Sequence, residues 1–281
     1  MLAVVIVTFS AEAAMLDACI ASVLAGGDVD HVIVVDNGGQ AIVGEGIELV
    51  TPARNLGFGA GANAGFSRAT ERGATLIALL NDDIEVETGW LRPLTDSLGA
   101  DPKLGAVQPK LLLTGSDPPR INSLGVAIGA DAAGTDVGYD EIDGPRFERD
   151  RPIDLFTGGA VVFRSEFLEL TGGFDESYFL YYEDVDLARR GAELGWTYRC
   201  VASSRVWHRV SASTALLGDR ARYLQERNRL RYAFRFGDRA MVTGALWLSI
   251  RRLRWTPRRS HARALLAGLW LAPAAIRARR R

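Results

Sequence analysis

"TLIALLNDD", residues 75–83, is the stretch from which the rest of the chain can be read. The run Thr75 to Leu80 has the length and apolarity of a strand buried on both faces, as strands of a parallel sheet are. It then ends in an amide and two adjacent carboxylates, Asn81, Asp82 and Asp83. Neighbouring anions repel, so their place at the end of a buried strand needs a physical reason. Three readings are open. The acids cap a helix expected from near Thr88, they lie in a solvated turn, or they ligate a hard cation. Mg2+ or Mn2+ would offset the repulsion, since such ions take one or two protein carboxylates and complete their shell with phosphate oxygens and water.

Working outward, strand-like and helix-like segments alternate. "LAVVIVT" (2–8) precedes a helical pattern at 11–25, "HVIVVD" (31–36) and "IELV" (47–50) follow, and a Gly/Ala-rich helix over about 59–73 leads into the opening strand. The alternation predicts an α/β fold with a mostly parallel sheet covered by helices. In such sheets ligands bind beyond the carboxyl ends of the strands. Polar residues collect there: Thr8 and Ser10 after the first strand, Asp36 and Asn37 after the second, and Asn81 to Asp83.

The chain has 281 residues, 48% hydrophobic and 24% charged, an ordinary globular composition that excludes general disorder. Its two cysteines, Cys19 and Cys200, lie far apart with no ligand at metal spacing, so neither a zinc site nor a disulfide framework is expected and a reducing cytosol fits. The opening "MLAVVIVTFS" lacks a basic start and is too short for a signal peptide or a span. A net charge of -1 hides an asymmetry. Residues 220–281 hold 17 of the 33 bases against Glu226 and Asp238, a net of +15, which leaves 16 bases and 32 acids, a net of -16, before them. An acidic body, residues 1–218, is therefore expected to precede a basic helical tail, residues 219–281, with the first tail helix free to pack on the body. The tail carries no recognisable nucleic-acid module, and nucleic acid is not an expected partner.

Further segments suggest chemistry. In "RNLGFGAGANAGF" (54–66) the small residues either let backbone approach a ligand or let a helix pack closely on the sheet. Long Gly-, Asp- and Pro-rich loops after Leu113 are of the kind that is functional or mobile. In "FDESYFLYYEDVDLARR" (174–190), Glu183 and Asp184 stand where an aromatic loop enters a helix. They are first-turn acids there, or carboxyls whose partial desolvation raises the pKa towards the range of a general base. His208, one of three histidines, follows the last expected strand, where it is either structural or a cation ligand.

The ordered series "VVIVTFS", "VIVVDNGG", "RNLGFGAGANAGF", "LLNDDIEV", "FTGGAVVFRSEFLELTGGFDESYFLYYEDVDL" and "VWH" resembles family 2 inverting glycosyltransferases of the GT-A fold, particularly their bacterial rhamnosyltransferase branch, over residues 2 to about 215. That resemblance implies a Rossmann-like body with helices on both faces. It places Thr8, Ser10, Asp36, Asn37, Arg54, Asn55, Gly57, Asn63, Asn81 and Asp82 on the nucleotide-sugar side and Gly158 and Gly159 near the acceptor. Asp83 and His208 become ligands of Mn2+ or Mg2+. Asp184 becomes the base, beside Glu183. Asn81 stands where the family's metal motif has its first acid. The implied reaction moves a sugar, L-rhamnose from dTDP-rhamnose first and UDP- or GDP-linked sugars next, from a nucleotide diphosphate to a hydroxyl of a glycan or polyprenyl-linked acceptor of the cell envelope. An inactive nucleotide-sugar-binding scaffold is the alternative, and the intact Asp83, Asp184 and His208 argue against it.

The tail completes this picture as an anchor. Ala264 to Ile276 falls short of the roughly 20 apolar residues of a span and contains Pro273. Trp247, Leu248, Ile250, Leu253 and Trp255, then Leu265, Leu266, Leu269, Trp270 and Leu271, alternate with Arg251, Arg252, Arg254, Arg258 and Arg259. This composition suits interfacial helices on anionic lipid, and the expected location is cytoplasmic, peripheral on the inner face of the membrane. Packing of the same apolar residues on the acidic body is the competing reading.

Overall fold

The computed structural model describes residues 1–9, 13–210, 212–254 and 258–279. Ser10 and Trp255 lie outside them. The first half runs β1 (Leu2–Thr8), α1 (Ala13–Ala25), β2 (His31–Asp36), β3 (Ile47–Val50), α2 (Phe58–Glu71), β4 (Leu76–Asn81), β5 (Ile84–Val86), α3 (Leu91–Ala100) and β6 (Leu104–Leu113). Short strands follow: β7 (Ile121–Ser123), β8 (Val126–Ile128), β9 (Gly134–Asp136) and β10 (Arg151–Ile153). Then come β11 (Ala160–Arg164), α4 (Ser165–Thr171), α5 (Glu183–Glu193), β12 (Thr197–His208), α6 (Ala212–Phe236), α7 (Arg239–Arg252) and α8 (Arg258–Ala278).

Ten of the described strands form one sheet, whose central path is β10-β12-β6-β11-β4-β1-β2-β3. From β3 to β4 every pairing is parallel, and β12 runs parallel to β6. β11 is inserted antiparallel between β4 and β6. Alternation within the central strands divides the core. Ala3, Val5, Val7, Ile77 and Leu79 pack towards α2, whereas Leu2, Val4, Ile6, Ala78 and Leu80 pack towards α1 and α3. Full burial of each such aliphatic side chain contributes roughly 1.5–3 kcal/mol, which is why an apolar run specifies a two-faced strand.

The small residues of α2 are there for that packing. A Cβ at Gly65 would lie 2.3 Å from Val5 Cγ1, so the helix can approach the sheet only with glycine at this position. Beyond β4 the chain departs from expectation. The helix expected from near Thr88 starts at Leu91, but β5 intervenes before it and its N-cap is Trp90. Asp82 and Asp83 therefore occupy the turn between two strands, and the capping reading falls.

The tail is joined to the body rather than trailing from it. α6 is kinked at Gly218, where the body had been expected to end. Beyond the kink, Leu230, Tyr232, Ala233 and Phe234 of α6, with Ala245 of α7 and Ala275 of α8, share one buried cluster with Val5 and Phe163. α8 crosses α6 so closely that a Cβ at Gly268 would lie 2.6 Å from Leu230 Cδ1. Leu248 is buried, while Trp247, Ile250, Leu266, Leu269 and Trp270 remain exposed. Among the described residues no helix is long and apolar enough to cross a membrane.

Candidate active site

At the carboxyl ends of β1 and β4 lies a cleft of about 600 Å³. One side is formed by Thr8, Asn37, Asn55, Gly57, Asn81 and Asp82. Asp83, His208, Asp136, Gly158, Gly159, Glu183 and Asp184 also line the cleft, with Val126, Ile128, Tyr182, Gln225, Arg229 and Arg252. Four carboxyl groups face this volume, from Asp82, Asp83, Asp136 and Asp184, with Glu183 at its edge packed against α2.

Asp83 and His208 meet because β5 pairs antiparallel with the end of β12, with Ile84 opposite His208. His208 Nε2 stands 3.1 Å from Asp83 Oδ1, and both side chains are almost buried. His208 Nδ1 donates to Asn122 Oδ1 at 2.8 Å, which orients the ring with Nε2 towards Asp83. A proton on Nε2 or a cation between the two groups would satisfy this pair. Asp83 Oδ1 and Asp82 Oδ2 are buried without a hydrogen-bond partner. Burial pushes the Asp82 carboxyl up to about 6, with Asp83's charge adding to the rise and a hydrogen bond from Thr8 opposing it. Unpartnered carboxylate oxygens beside an imidazole fit a divalent cation. Among the described residues no three His, Cys, Asp or Glu side chains converge as a complete cage, so water or a ligand would supply the remaining positions.

Asp184 and Glu183 open α5, and their environments differ. Asp184 Oδ2 accepts from the Gly158 N–H at 2.9 Å and Oδ1 from the Val185 N–H at 2.8 Å, which orients the carboxyl beside the Gly158 backbone. Burial raises its pKa, the two backbone N–H groups oppose the rise, and Asp136 adds to it. Glu183 is only 5% exposed and packs beside Gly59 of α2, where burial, then Asp184's charge, hold it well above the usual carboxylate range. Asp184 is the more accessible of the two.

The entry to α5 is strained. Phe179, Tyr181 and Tyr182 all have left-handed φ, of 68°, 70° and 73°, which costs of order 1–3 kcal/mol each. Asn228 of α6 holds this loop, its Nδ2 donating to the carbonyls of Tyr178, Leu180 and Tyr181 at 2.8–3.0 Å. Phe179 O accepts from the Phe58 N–H, and a Cβ at Gly57 (φ 85°) would lie 2.3 Å from that oxygen. The start of α2, the aromatic loop and the start of α5 are thereby locked together.

Several expected site residues serve the scaffold. Asp36 is off the cleft wall; its carboxylate accepts from the N–H groups of Gly38, Gly39 and Ala41. Arg54 is exposed and off the wall, and Asn63 pairs with the Phe174 backbone, which secures the 173–176 turn. Asn37 lines the cleft and also ties down the Leu56 and Gly57 backbone. Conversely, Asp136, Asn122, Gln225, Arg229 and Arg252 were not foreseen. The long loops after Leu113 signalled Asp136 and Asn122 only as a region, and nothing in the tail's periodicity pointed its residues into the cleft.

Residues 3–124 match the sequence profile described as Glycosyl transferase family 2. The chain is 28% identical to the N-acetylglucosaminyl-diphospho-decaprenol L-rhamnosyltransferase of Mycobacterium tuberculosis, over 89% of this chain and 86% of that protein. It is 31% identical to the O-antigen biosynthesis protein RfbC of Myxococcus xanthus over 52% of this chain and 12% of that protein. Among solved structures it resembles GalNAc-T7 with UDP, GalNAc and Mn2+ (TM-score 0.69, 14% identity, 94% of this chain and 53% of that one, about half its length). It also resembles the Pyrobaculum calidifontis mannosyltransferase PcManGT in complex with GDP-Man and Mn2+ (TM-score 0.55, 15% identity, 97% and 86%). At such identities these two structures bear on the fold alone, which is GT-A.

Proposed function

We propose that this chain, a glycosyltransferase of the GT-A fold whose residues 3–124 match family 2, moves a sugar, with inversion, from a nucleotide diphosphate to a hydroxyl of a phosphate-linked envelope glycan precursor. The observation that carries this reading is the convergence in one cleft of the Asp83–His208 pair and the oriented Asp184 carboxyl. L-rhamnose from dTDP-rhamnose is the sugar we favour, on the likeness to the mycobacterial enzyme over most of both chains.

In this mechanism the nucleotide lies along Thr8, Asn37, Asn55 and Gly57, with its diphosphate at Asn81 to Asp83. Asp83 and His208 would hold Mn2+ or Mg2+, whose chemistry is to stabilise the charge of the departing diphosphate. Asp184, steadied by the N–H groups of Gly158 and Val185, accepts the proton of the acceptor hydroxyl as that oxygen attacks the anomeric carbon. Glu183, turned to α2 and held by burial well above the usual carboxylate range, supports the start of α5. Gly158 and Gly159 leave room for the acceptor between Asp184 and His208. Residues 1–218 supply the donor site, and residues 219–281 complete the acceptor wall. The exposed apolar residues of α7 and α8, beside their arginines, hold the protein on the anionic inner face of the membrane, where such an acceptor resides.

The test is thermal shift against a panel of nucleotide diphosphates and their sugars with and without Mn2+, followed by transfer assays with the ligands that bind. dTDP with Mn2+ is expected to raise Tm, and EDTA to abolish both the shift and turnover. Failure of every nucleotide diphosphate to shift Tm, or full turnover in excess EDTA, would overturn the reading.

A further inference from the structure

Charge is unevenly distributed around the cleft. Asp82 and Asp83 lie at the end of β4, whereas α6 and α7 bring two arginines to the wall beside Tyr182, where their charges reach the tyrosine hydroxyl. Arg229 is consumed internally. Its Nε and Nη2 donate to Glu226, Nη2 also to Ser249 Oγ and the Ala245 carbonyl, and Nη1 to the Asp131 carbonyl. Glu226 is 1% exposed; burial pushes its carboxyl up, but Arg229, Ser249 and Arg252 together hold it below the usual range. Arg229 and Glu226 therefore cancel as a buried ion pair.

Arg252 is left as the surplus. Its Nη1 leans on Glu226 Oε2, which fixes the guanidinium at the cleft wall with 26% of the side chain exposed. Among the described residues its other N–H donors make no hydrogen bond to the protein. Gln225, exposed and one turn of α6 before Arg229, also lines the cleft. An anion entering this acid-rich cleft without a cation would be repelled, and a preorganised arginine offers a bidentate match to a phosphoryl group.

We propose that Arg252 and Gln225 form an anion subsite for a phosphoryl group of the acceptor, separate from the donor diphosphate at the Asp83 end, with Glu226 as the residue that positions the arginine. This rests on the transfer reading above and assigns to one end of the cleft the chemical class of the acceptor's linker. The apolar neighbours Val126 and Ile128 suit the first carbons of a lipid chain.

The test uses the full chain in EDTA, where the carboxyl-rich end rejects diphosphate, and compares geranyl diphosphate with geraniol by titration calorimetry. Wild type should favour the diphosphate by about tenfold or more, with the preference weakening in salt. Arg252→Gln should lose the preference, Arg252→Lys should keep part of it and report on folding, and Gln225→Ala should weaken binding without touching the Glu226 network. Arg254→Gln, an exposed neighbouring charge, should bind as wild type. Equal binding of the two probes by wild type, or unchanged binding by Arg252→Gln, overturns the proposal. So does a result in which Arg252→Gln weakens binding to anionic vesicles but not to soluble geranyl diphosphate, because the arginine would then read membrane headgroups. Failure of the transfer reading shows separately, as the absence of a nucleotide diphosphate shift with Mn2+, a measurement in which Arg252 takes no part.

Discussion

Asp184 and Glu183 are adjacent acids in one helical turn, yet their surroundings divide their roles. Asp184 is oriented by two N–H groups at the cleft, whereas Glu183 lies buried against α2 with Oε2 unpartnered. Asp184→Asn is expected to keep the fold and nucleotide binding while transfer falls about 10²- to 10⁴-fold, the usual worth of a general base. Glu183→Gln, isosteric with the protonated acid, should retain most activity; a dead Glu183→Gln beside an active Asp184→Asn would reverse the assignment. The pH profile follows with a definite sign. The base works only when ionised and its pKa is raised above the ordinary 3.8, so kcat/KM should fall as pH drops through that raised value. A profile flat down to about pH 4 would remove Asp184 from the role.

Elements act on the site through the loop between the aromatic cluster and α5. Its left-handed residues persist because α6 supplies Asn228, whose amide serves three carbonyls that would otherwise lack this partner. Asn228→Ala should destabilise the protein by about 1–3 kcal/mol, the penalty for stranding the Leu180 and Tyr181 carbonyls, whereas Tyr178 O keeps Arg227. Because the loop leads directly into Glu183 and Asp184, kcat should fall as well while donor affinity changes little. Loss of Tm with kcat intact, both measured on the folded fraction at low temperature, would confine Asn228 to stability.

For the whole molecule, the basic helices have two faces. Ala245, Leu248 and Ala275 join the core, whereas Trp247, Ile250, Leu266, Leu269 and Trp270 remain outside, beside exposed Arg251, Arg254, Arg258 and Arg259. Truncation at 239 would remove core residues and Arg252 together, so membrane binding is better tested in the full chain. Vesicle co-sedimentation should require anionic lipid and weaken with salt, and Trp247→Ser with Trp270→Ser should shift the protein to the supernatant. Equal recovery of wild type and variant in the supernatant would defeat the membrane reading.

The sequence alone specified the alternation of strands and helices in the first half, because alternation and apolar runs are local signals that burial reads directly. It also specified that Asp82, Asp83 and Asp184 stand at element ends, since a carboxyl beside an apolar run marks a chain leaving the core. Three-dimensional pairing decided the rest. β5 against β12 sets Asp83 beside His208, and the loops after Leu113 return Asn122 and Asp136 to them, through contacts with no periodicity to announce them. Asp36 was withdrawn from the cleft by its own loop, whose N–H groups claim both carboxylate oxygens. The tail's arginines looked uniform in sequence. Only the crossing of α6, α7 and α8 determined that Arg229 is neutralised in the interior, that Arg252 meets the cleft and that Arg231 and Arg235 pair with Asp175 and Asp186 of the body, because burial and a nearby carboxylate decide what a charge can do.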